Sequence, residues 1–451
     1  MRDHWCSTFP EPRSECTLPK AENDGEQSEA PSPNPKRRGL ARSLGLGVVT
    51  GAADDDCSAI GTYASAGAQF GTSLLWTAPI TFPMMFAVVY LSSKLGQVSG
   101  KGLFHVIKDH YSSWVLWPTL IGVLVGNTIE AAADLGGMAA ALGLFVPLPA
   151  PVIVSGVALA ILALQVWGSY ETIRNIFRWL ALVLFAYVGS ALLAKPDPWE
   201  VLRGTLVPTV QFSGEFLSIL VAIIGTSLSA YLYTWQSNVE VEEKIQQGRT
   251  TLEERRGTTQ GDLRRSRNDI LTGMLFSNII MYFIILSTGA TLHKAGQTNI
   301  DTAAQAAEAL RPIAGDTAGI LFAVGIIAVG FLAVPIMTTG AAYDLCQVIG
   351  WKSSLHARPK EAKKFYAVIA GFTLVAVVLN FLGFNPMRAL VYSGIVQGFS
   401  TPPLLLFILL MTNNRKIMGD KVNTLPLNIL SWITVGAIFA ATAGLVASWF
   451  I

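Results

Sequence analysis

Three consecutive aspartates, Asp54, Asp55 and Asp56, sit inside an apolar stretch long enough to cross a bilayer. A carboxylate at the centre of a membrane helix costs about 2.5–3.5 kcal/mol, so three in a row nearly cancel the hydrophobic gain of one span. The flanking residues, Gly51-Ala52-Ala53 and Cys57-Ser58-Ala59-Ile60-Gly61, are small and supply little helix-stabilising bulk. These properties predict a helix that breaks at the aspartates, with open backbone and carboxylates turned to a protected, watery cavity. A carboxylate beside unwound carbonyls at membrane depth can hold a hard cation. A carboxylate of this run is expected to hold the ion, directly or through water; the competing reading is a carboxylate that caps the helix after the break. Asp55 is expected in the ligand shell, and Asp54 at the cavity edge or capping the second half-helix.

A second polar run, Gly225-Thr226-Ser227-Leu228-Ser229-Ala230, interrupts another apolar stretch. Ser and Thr rescue the backbone groups freed where a membrane helix breaks. Ser229 and the carbonyl of Thr226 are therefore candidates either for the ion or for the broken backbone. Glu130 and Asp134 lie four residues apart, on one helix face, with Asn127 a turn earlier. Ionisable groups inside a span face a cavity or a partner, so this trio is assigned to the ion pathway or to the surroundings of the ligands.

The elements that must position these groups are membrane helices. Apolar residues make up 51% of the 451 and charged ones 14%, about half the share expected of a soluble protein. Mean hydropathy is +0.47. Segments of spanning length fall at 44–67, 72–95, 113–142, 150–167, 172–194, 212–237, 268–292, 317–349, 361–382, 387–411 and 426–450, which predicts an all-α polytopic membrane protein with eleven transmembrane helices. With the N-terminus inside, all but Lys195, Arg203, Lys294, Arg311 and Arg388 of the 32 Lys and Arg lie on the cytoplasmic side, leaving the C-terminus outside. Residues 1–43, polar and Pro-containing with a basic Lys36-Arg37-Arg38 cluster, are expected as a disordered cytoplasmic tail without a cleavable signal. The segment Glu240–Asn268, of alternating charge, is expected as a solvated helical linker. Pro79, Pro83, Pro335, Pro402 and Pro403 are read as kinks, and the Trp and Tyr residues mostly as interfacial belts. The scattered Cys6, Cys16, Cys57 and Cys346 are read as free thiols.

The two interruptions fall in spans one and six, corresponding places in two five-helix halves (about 44–194 and 212–411, with an extra helix at 426–450). That is the pattern of a LeuT-like 5+5 inverted repeat with broken helices 1 and 6 and a midplane site.

Asp56-Cys57-Ser58-Ala59, followed by Ala66–Gly71, resembles the first-helix region of NRAMP-type divalent-metal transporters, whose motif is Asp-Pro-Gly-Asn. Gly225–Ala230 lies where that family carries Gly-Ala-Thr-Val-Met-Pro, and Asn414–Gly419 resembles its stretch after helix ten. The resemblance implies a metal site with Asp56 as its aspartate, Ala59 in place of the Asn and Ser229 in place of the Met. It puts Tyr231 and Gln236 at the positions of two helix-six histidines and Asp134 where a helix-three Glu stands, with Ala131 replacing the neighbouring Asp. It makes Gln397 the helix-ten glutamine that joins the ion as the cavity closes; its competing role is an interhelical hydrogen bond.

A thioether favours transition metals, so its replacement by Ser removes that bias. Magnesium keeps several of its waters and is held by one or two carboxylates. An all-oxygen site therefore implies Mg2+, with Mn2+ tolerated, and the pattern resembles the prokaryotic NRAMP-related magnesium transporters of the plasma membrane. His4, His105, His110, His293 and His356 all fall in the tail, in loops or at a span end, which implies import by alternating access without obligatory proton coupling. The competing readings are a proton-coupled Mn2+/Fe2+ symporter, an organic-solute carrier of the same architecture, and a cation channel. Three acids would repel a carboxylate substrate. No phosphate loop, HExxH or nucleophile elbow is present, so no enzyme, cofactor or nucleic-acid partner is expected. The expected partners are divalent ions and the bilayer, with one chain as the transport unit.

Overall fold

The computed structural model describes residues 46–167, 182–355 and 357–450, and among them every regular element is helical. Helices of eight or more residues run, in chain order, α1 Leu46–Asp54, α2 Cys57–Phe70, α3 Thr77–Ser99, α4 Leu103–His110, α5 Ser113–Leu142, α6 Ala150–Trp167, α7 Phe185–Leu193, α8 Pro198–Leu206, α9 Gly214–Ser227, α10 Ala230–Gln246, α11 Gln260–Thr288, α12 Ala318–Ile349, α13 Lys363–Asn380, α14 Pro386–Asn413 and α15 Leu425–Ser448.

Nine helical stretches among the described residues are long and apolar enough to cross a membrane, with α9 and α10 counted as one. Expected spans 113–142 and 150–167 coincide with α5 and α6, and the others agree to within a few residues at most ends. The first expected span is represented by α1 and α2, each too short to cross alone. Of the expected span 172–194, residues 172–181 lie outside the described residues, as does the tail 1–43.

The broken pair at the centre and the helices at the rim differ in what surrounds them. In Gly214–Gln246, 89% of the most apolar window is buried, against 28% in α6, 22% in α13 and 28% in α15. A helix that is apolar all round and buried all round belongs to the middle of a bundle. At the rim the large exposed residues mix aliphatic side chains with aromatic ones such as Trp432 and Phe439, and Trp114, Trp167, Trp199 and Trp449 are exposed at helix ends, where an amphipathic ring meets the headgroups.

Two glycines bring backbones into contact. A Cβ on Gly51 of α1 would stand 2.2 Å from the Gly273 carbonyl oxygen of α11, and one on Gly225 of α9 would stand 2.0 Å from the Gly394 oxygen of α14. Without a hydrophobic force between helices in lipid, such small-residue contacts hold a bundle together by van der Waals packing. They dock each half-helix that ends at the site against an unbroken neighbour. The helices carrying Pro83, Pro335, Pro402 and Pro403 continue through them.

The expectation of a solvated linker over 240–268 is corrected at its start. α10 continues to Gln246 and keeps Glu240, Glu242 and Lys244 buried. Glu240 accepts hydrogen bonds from Ser93 (2.6 Å), Gln236 (3.0 Å) and Ser266 (3.1 Å). The Lys244 ammonium donates to the carbonyls of Gln97, Arg255 (2.7 Å) and Gly257 (2.8 Å). Alternating charge suggested a wet surface, yet each charge here has its own buried partners.

Candidate functional site

α1 ends at Asp54, Asp55 and Asp56 are non-helical, and α2 begins at Cys57. Aspartate is a weak helix former and a strong N-cap, because its short carboxylate reaches the free amides of the next turn. Asp56 has extended backbone (φ −68°, ψ −176°) and accepts from the Ala59 amide at 2.7 Å. The capping role anticipated as the competing reading is thus occupied by Asp56 Oδ1. Its other oxygen, Oδ2, lies 3.0 Å from the Tyr231 hydroxyl, which also reaches the Ala53 carbonyl at 2.7 Å. The second break falls at Leu228–Ser229, between α9 and α10.

Ser58 joins the two halves of the site. Its hydroxyl donates to Asp56 Oδ1 at 2.8 Å and stands 3.2 Å from Glu130 Oε1 and 3.4 Å from the Thr226 hydroxyl. Its amide donates to Asp134 Oδ1 at 3.0 Å. The Ser229 hydroxyl lies 3.0 Å from Glu130 Oε1 and equally far from the carbonyls of Gly225 and Thr226. Gln397 of α14 donates to Glu130 Oε2 at 2.6 Å and to Asn127 Oδ1 at 3.2 Å, and its own oxygen accepts from Ser400 at 3.0 Å. Four elements therefore converge: the start of α2, the α9–α10 break, α5 and α14. Asp56, Glu130, Asp134, Ser229, Thr226, Tyr231 and Gln397 are all fully buried. No ion pair to any of these carboxylates occurs among the described residues. The partial positive charge at the N-terminus of α2 is the compensating charge that the fold provides.

Glu130, placed by sequence in the pathway, shares the Ser58 hydroxyl with Asp56. Asp134 holds the first turn of α2 and keeps Oδ2 without a partner, and Asn127 keeps its Nδ2 free. Asp54 and Asp55 turn elsewhere: both accept from Ser277 of α11, at 2.5 and 3.1 Å, and each keeps one oxygen unpartnered. Ala59 contributes its amide to the Asp56 cap, while the Thr226 carbonyl faces the Ser229 hydroxyl. Cys57, next to Asp56, turns its sulfur to the Ile326 carbonyl. Gln236 takes the Thr50 hydroxyl at 2.6 Å. Cys57 and Cys346 are free thiols. No group of three or more His, Cys, Asp or Glu side chains converges as a metal site among the described residues; the groups around Asp56 are the Glu130 carboxylate and the Ser58 and Ser229 hydroxyls, with the Gln397 amide nitrogen on Glu130.

Ser58 and Ser277 escaped the sequence reading. Ser58 sits two residues from Asp56, and the preference of Ser for a helix start was a usable signal. Ser277 is separated from the aspartates by more than 200 residues and carries no local signal.

Two interrupted membrane helices that meet at buried carboxylates, braced by unbroken helices, define a helical membrane transporter. The family described as natural resistance-associated macrophage protein-like matches residues 47–448, and the chain belongs to this Nramp family. It is 26% identical over 391 residues to the divalent metal cation transporter MntH of Klebsiella pneumoniae (strain 342), covering 85% of this chain and 89% of that protein. The MntH of Bacillus subtilis (strain 168) is 26% identical over 422 residues, 92% and 93% of the two chains. Among solved structures, the Eremococcus coleocola manganese transporter superposes with a TM-score of 0.69 at 19% identity, over 94% of this chain and 90% of that one. A nucleobase-cation-symport-1 family transporter in a closed conformation follows the same fold more loosely, with a TM-score of 0.54 at 14% identity and 90% of both chains.

Proposed function

We propose that the chain imports divalent metal cations, Mg2+ first with Mn2+ tolerated, by alternating access and without obligatory proton coupling. The observation that carries this reading is the pair of buried carboxylates, Asp56 and Glu130, joined by one serine hydroxyl and surrounded by oxygen and amide groups. The ion would rest on Asp56, with Glu130, Ser229 and Gln397 around it and retained waters completing its shell. The sulfur nearest in sequence, Cys57, is turned away, and Ser229 occupies the break where a thioether would select softer metals. Asp55, Asp54 and the Thr226 carbonyl would join only if the helix ends rearrange, since here Ser277 draws one oxygen of each aspartate toward α11 and the Ser229 hydroxyl faces the carbonyl.

In this reading the broken segment 46–70 and the segment 172–194 complete eleven spans, arranged as inverted repeats over about 44–194 and 212–411 with a further helix at 426–450. The N-terminus faces the cytoplasm and the C-terminus the outside of a prokaryotic plasma membrane, and the single chain is the transport unit. Spans one and six rock against the remaining helices, and full burial of the site corresponds to a closed stage of that cycle. Neither Tyr231 nor Gln236 is a histidine, the side chain that titrates near neutral pH without special help, which supports ion movement without obligatory proton coupling.

A second reading, a proton-coupled Mn2+ or Fe2+ symporter, is favoured by the names of the relatives, divalent metal transporters and a manganese transporter. Purified protein in liposomes carrying a Mg2+ dye and a pH dye separates the two. Saturable Mg2+ entry that is lost in Asp56→Ala and leaves internal pH constant is the expected result. Mn2+ entry with internal acidification and no Mg2+ entry would overturn the magnesium assignment.

A further inference from the structure

Asp344 carries a carboxylate that the site around Asp56 does not use. It lies on α12 and is fully buried. Its Oδ1 receives the Asn238 amide at 3.5 Å, the outer limit of a hydrogen bond, and its Oδ2 receives none. The Thr234 hydroxyl, within 3.2 Å of the Tyr231 carbonyl, faces the same carboxylate. No ion pair involves Asp344 among the described residues. A carboxylate inside a membrane protein with only neutral neighbours is expensive and marks an ion route.

Its position supplies the route. Tyr231, Thr234 and Asn238 are spaced three and four residues apart, so they form one stripe on α10. Tyr231 touches Asp56 at the upper end. Asn238 lies about 10 Å further along the helix axis, at 1.5 Å per residue. Beyond it, Gln347 donates to Asn238 Oδ1 at 2.6 Å and accepts from the His105 amide at 3.2 Å, on the half-buried α4. Polar groups thus run from the Asp56 site along α10 to the end of α12, with Asp344 as the carboxylate that Asn238 reaches and Glu242 one turn beyond it on α10.

We propose that Asp344, with Thr234 and Asn238, is a second and weaker cation station between the Asp56 site and the cytoplasmic face, taking the partly hydrated divalent ion as it leaves Asp56. The inference rests on the reading that a divalent cation passes through Asp56. One carboxylate with a hydroxyl and an amide is a hard-oxygen set suited to a cation that keeps its waters. A weak site fits the task, because a transit position must bind well enough to admit the ion and loosely enough to release it.

The test uses the full chain, with Mn2+ and Mg2+ as probes. In liposomes, Asp344→Asn is expected to lower the maximal rate at least fivefold while KM stays within twofold of wild type, and Asp344→Glu to restore at least half of the rate. Equilibrium dialysis with Mn2+ should show a tight and a weak class of site in wild type and only the weak class in Asp56→Ala. The weak class should vanish in the Asp56→Ala, Asp344→Asn double variant. Wild-type transport and unchanged Mn2+ stoichiometry in Asp344→Asn would overturn the station and leave the Asp56 reading standing. If Asp344→Asn does not fold, absence of the weak class from Asp56→Ala, in which Asp344 is intact, overturns it equally. A wild-type protein that neither binds nor moves either ion refutes the transport reading, and the station with it.

Discussion

Replacing Glu130 with glutamine should stabilise the empty protein and weaken its hold on the ion. A single hydroxyl, Ser58, bridges the carboxylates of Asp56 and Glu130 with legs of 2.8 and 3.2 Å, so the two oxygens lie within about 6 Å. With both carboxylates ionised, they repel at that separation by about 3 kcal/mol at an effective dielectric of about 20. Glutamine removes the charge and keeps the shape. Its oxygen can take the Gln397 amide that Glu130 Oε2 now accepts at 2.6 Å. Its NH2 can donate to the hydroxyls of Ser58 and Ser229, whose own protons have acceptors in Asp56 and in the Gly225 and Thr226 carbonyls. Little hydrogen bonding is therefore lost, and the relief is expected to appear as a gain of about 1–3 kcal/mol in the ion-free state. With a dication present the sign reverses. A dication at a similar distance attracts the carboxylate about twice as strongly, by about 5–6 kcal/mol, so the affinity should fall by at least about 100-fold. Thermal unfolding of purified protein, in chelator and across a Mn2+ or Mg2+ titration, reads both effects. Glu130→Gln should melt several degrees above wild type in chelator and need at least about 100-fold more ion for the same upward shift. A variant that melts at or below wild type in chelator, or keeps the wild-type ion response, would refute the argument that Glu130 faces the ion as an unpaired charge.

Two further substitutions probe selectivity and packing. Ser229→Cys places a soft sulfur 3.0 Å from Glu130 Oε1 with little change of volume, and should raise uptake of Mn2+ or Cd2+ relative to Mg2+ tenfold or more in competition flux assays. Gly225→Ala puts a methyl group 2.0 Å from the Gly394 carbonyl oxygen. It should cost more than about 3 kcal/mol and abolish the monodisperse peak in size-exclusion chromatography, whereas Gly436→Ala, which meets nothing within 4 Å, should leave the peak intact.

Membrane helices announce themselves, because the thickness of the bilayer and the cost of an unsatisfied peptide group leave one solution for a long apolar stretch. That is why 113–142 and 150–167 could be delimited from hydropathy alone. The two breaks were legible for a related reason: Asp54-Asp55-Asp56 and Gly225–Ala230 are each too polar or too small to continue a buried helix. Individual polar residues in apolar surroundings, Glu130, Asp134 and Gln397 among them, could be singled out in the same way. The burial of Glu240 and Lys244 could not, since alternating charge looks the same whether water or carbonyl groups satisfy it.

The sequence by itself therefore determined the class of structure, where its helices give way, and the aspartate run as the carboxylates at the first break. Only the tertiary structure decided which neighbours share that site. Successive residues at a chain break point in different directions, so the company each aspartate keeps depends on the helix packed beside it. α11 presents Ser277 and draws Asp54 and Asp55 to itself, while α5 brings Glu130 to the serine that Asp56 already holds. Helix periodicity places a side chain on a face; what that face meets is set by contacts between segments hundreds of residues apart, and no local pattern encodes them.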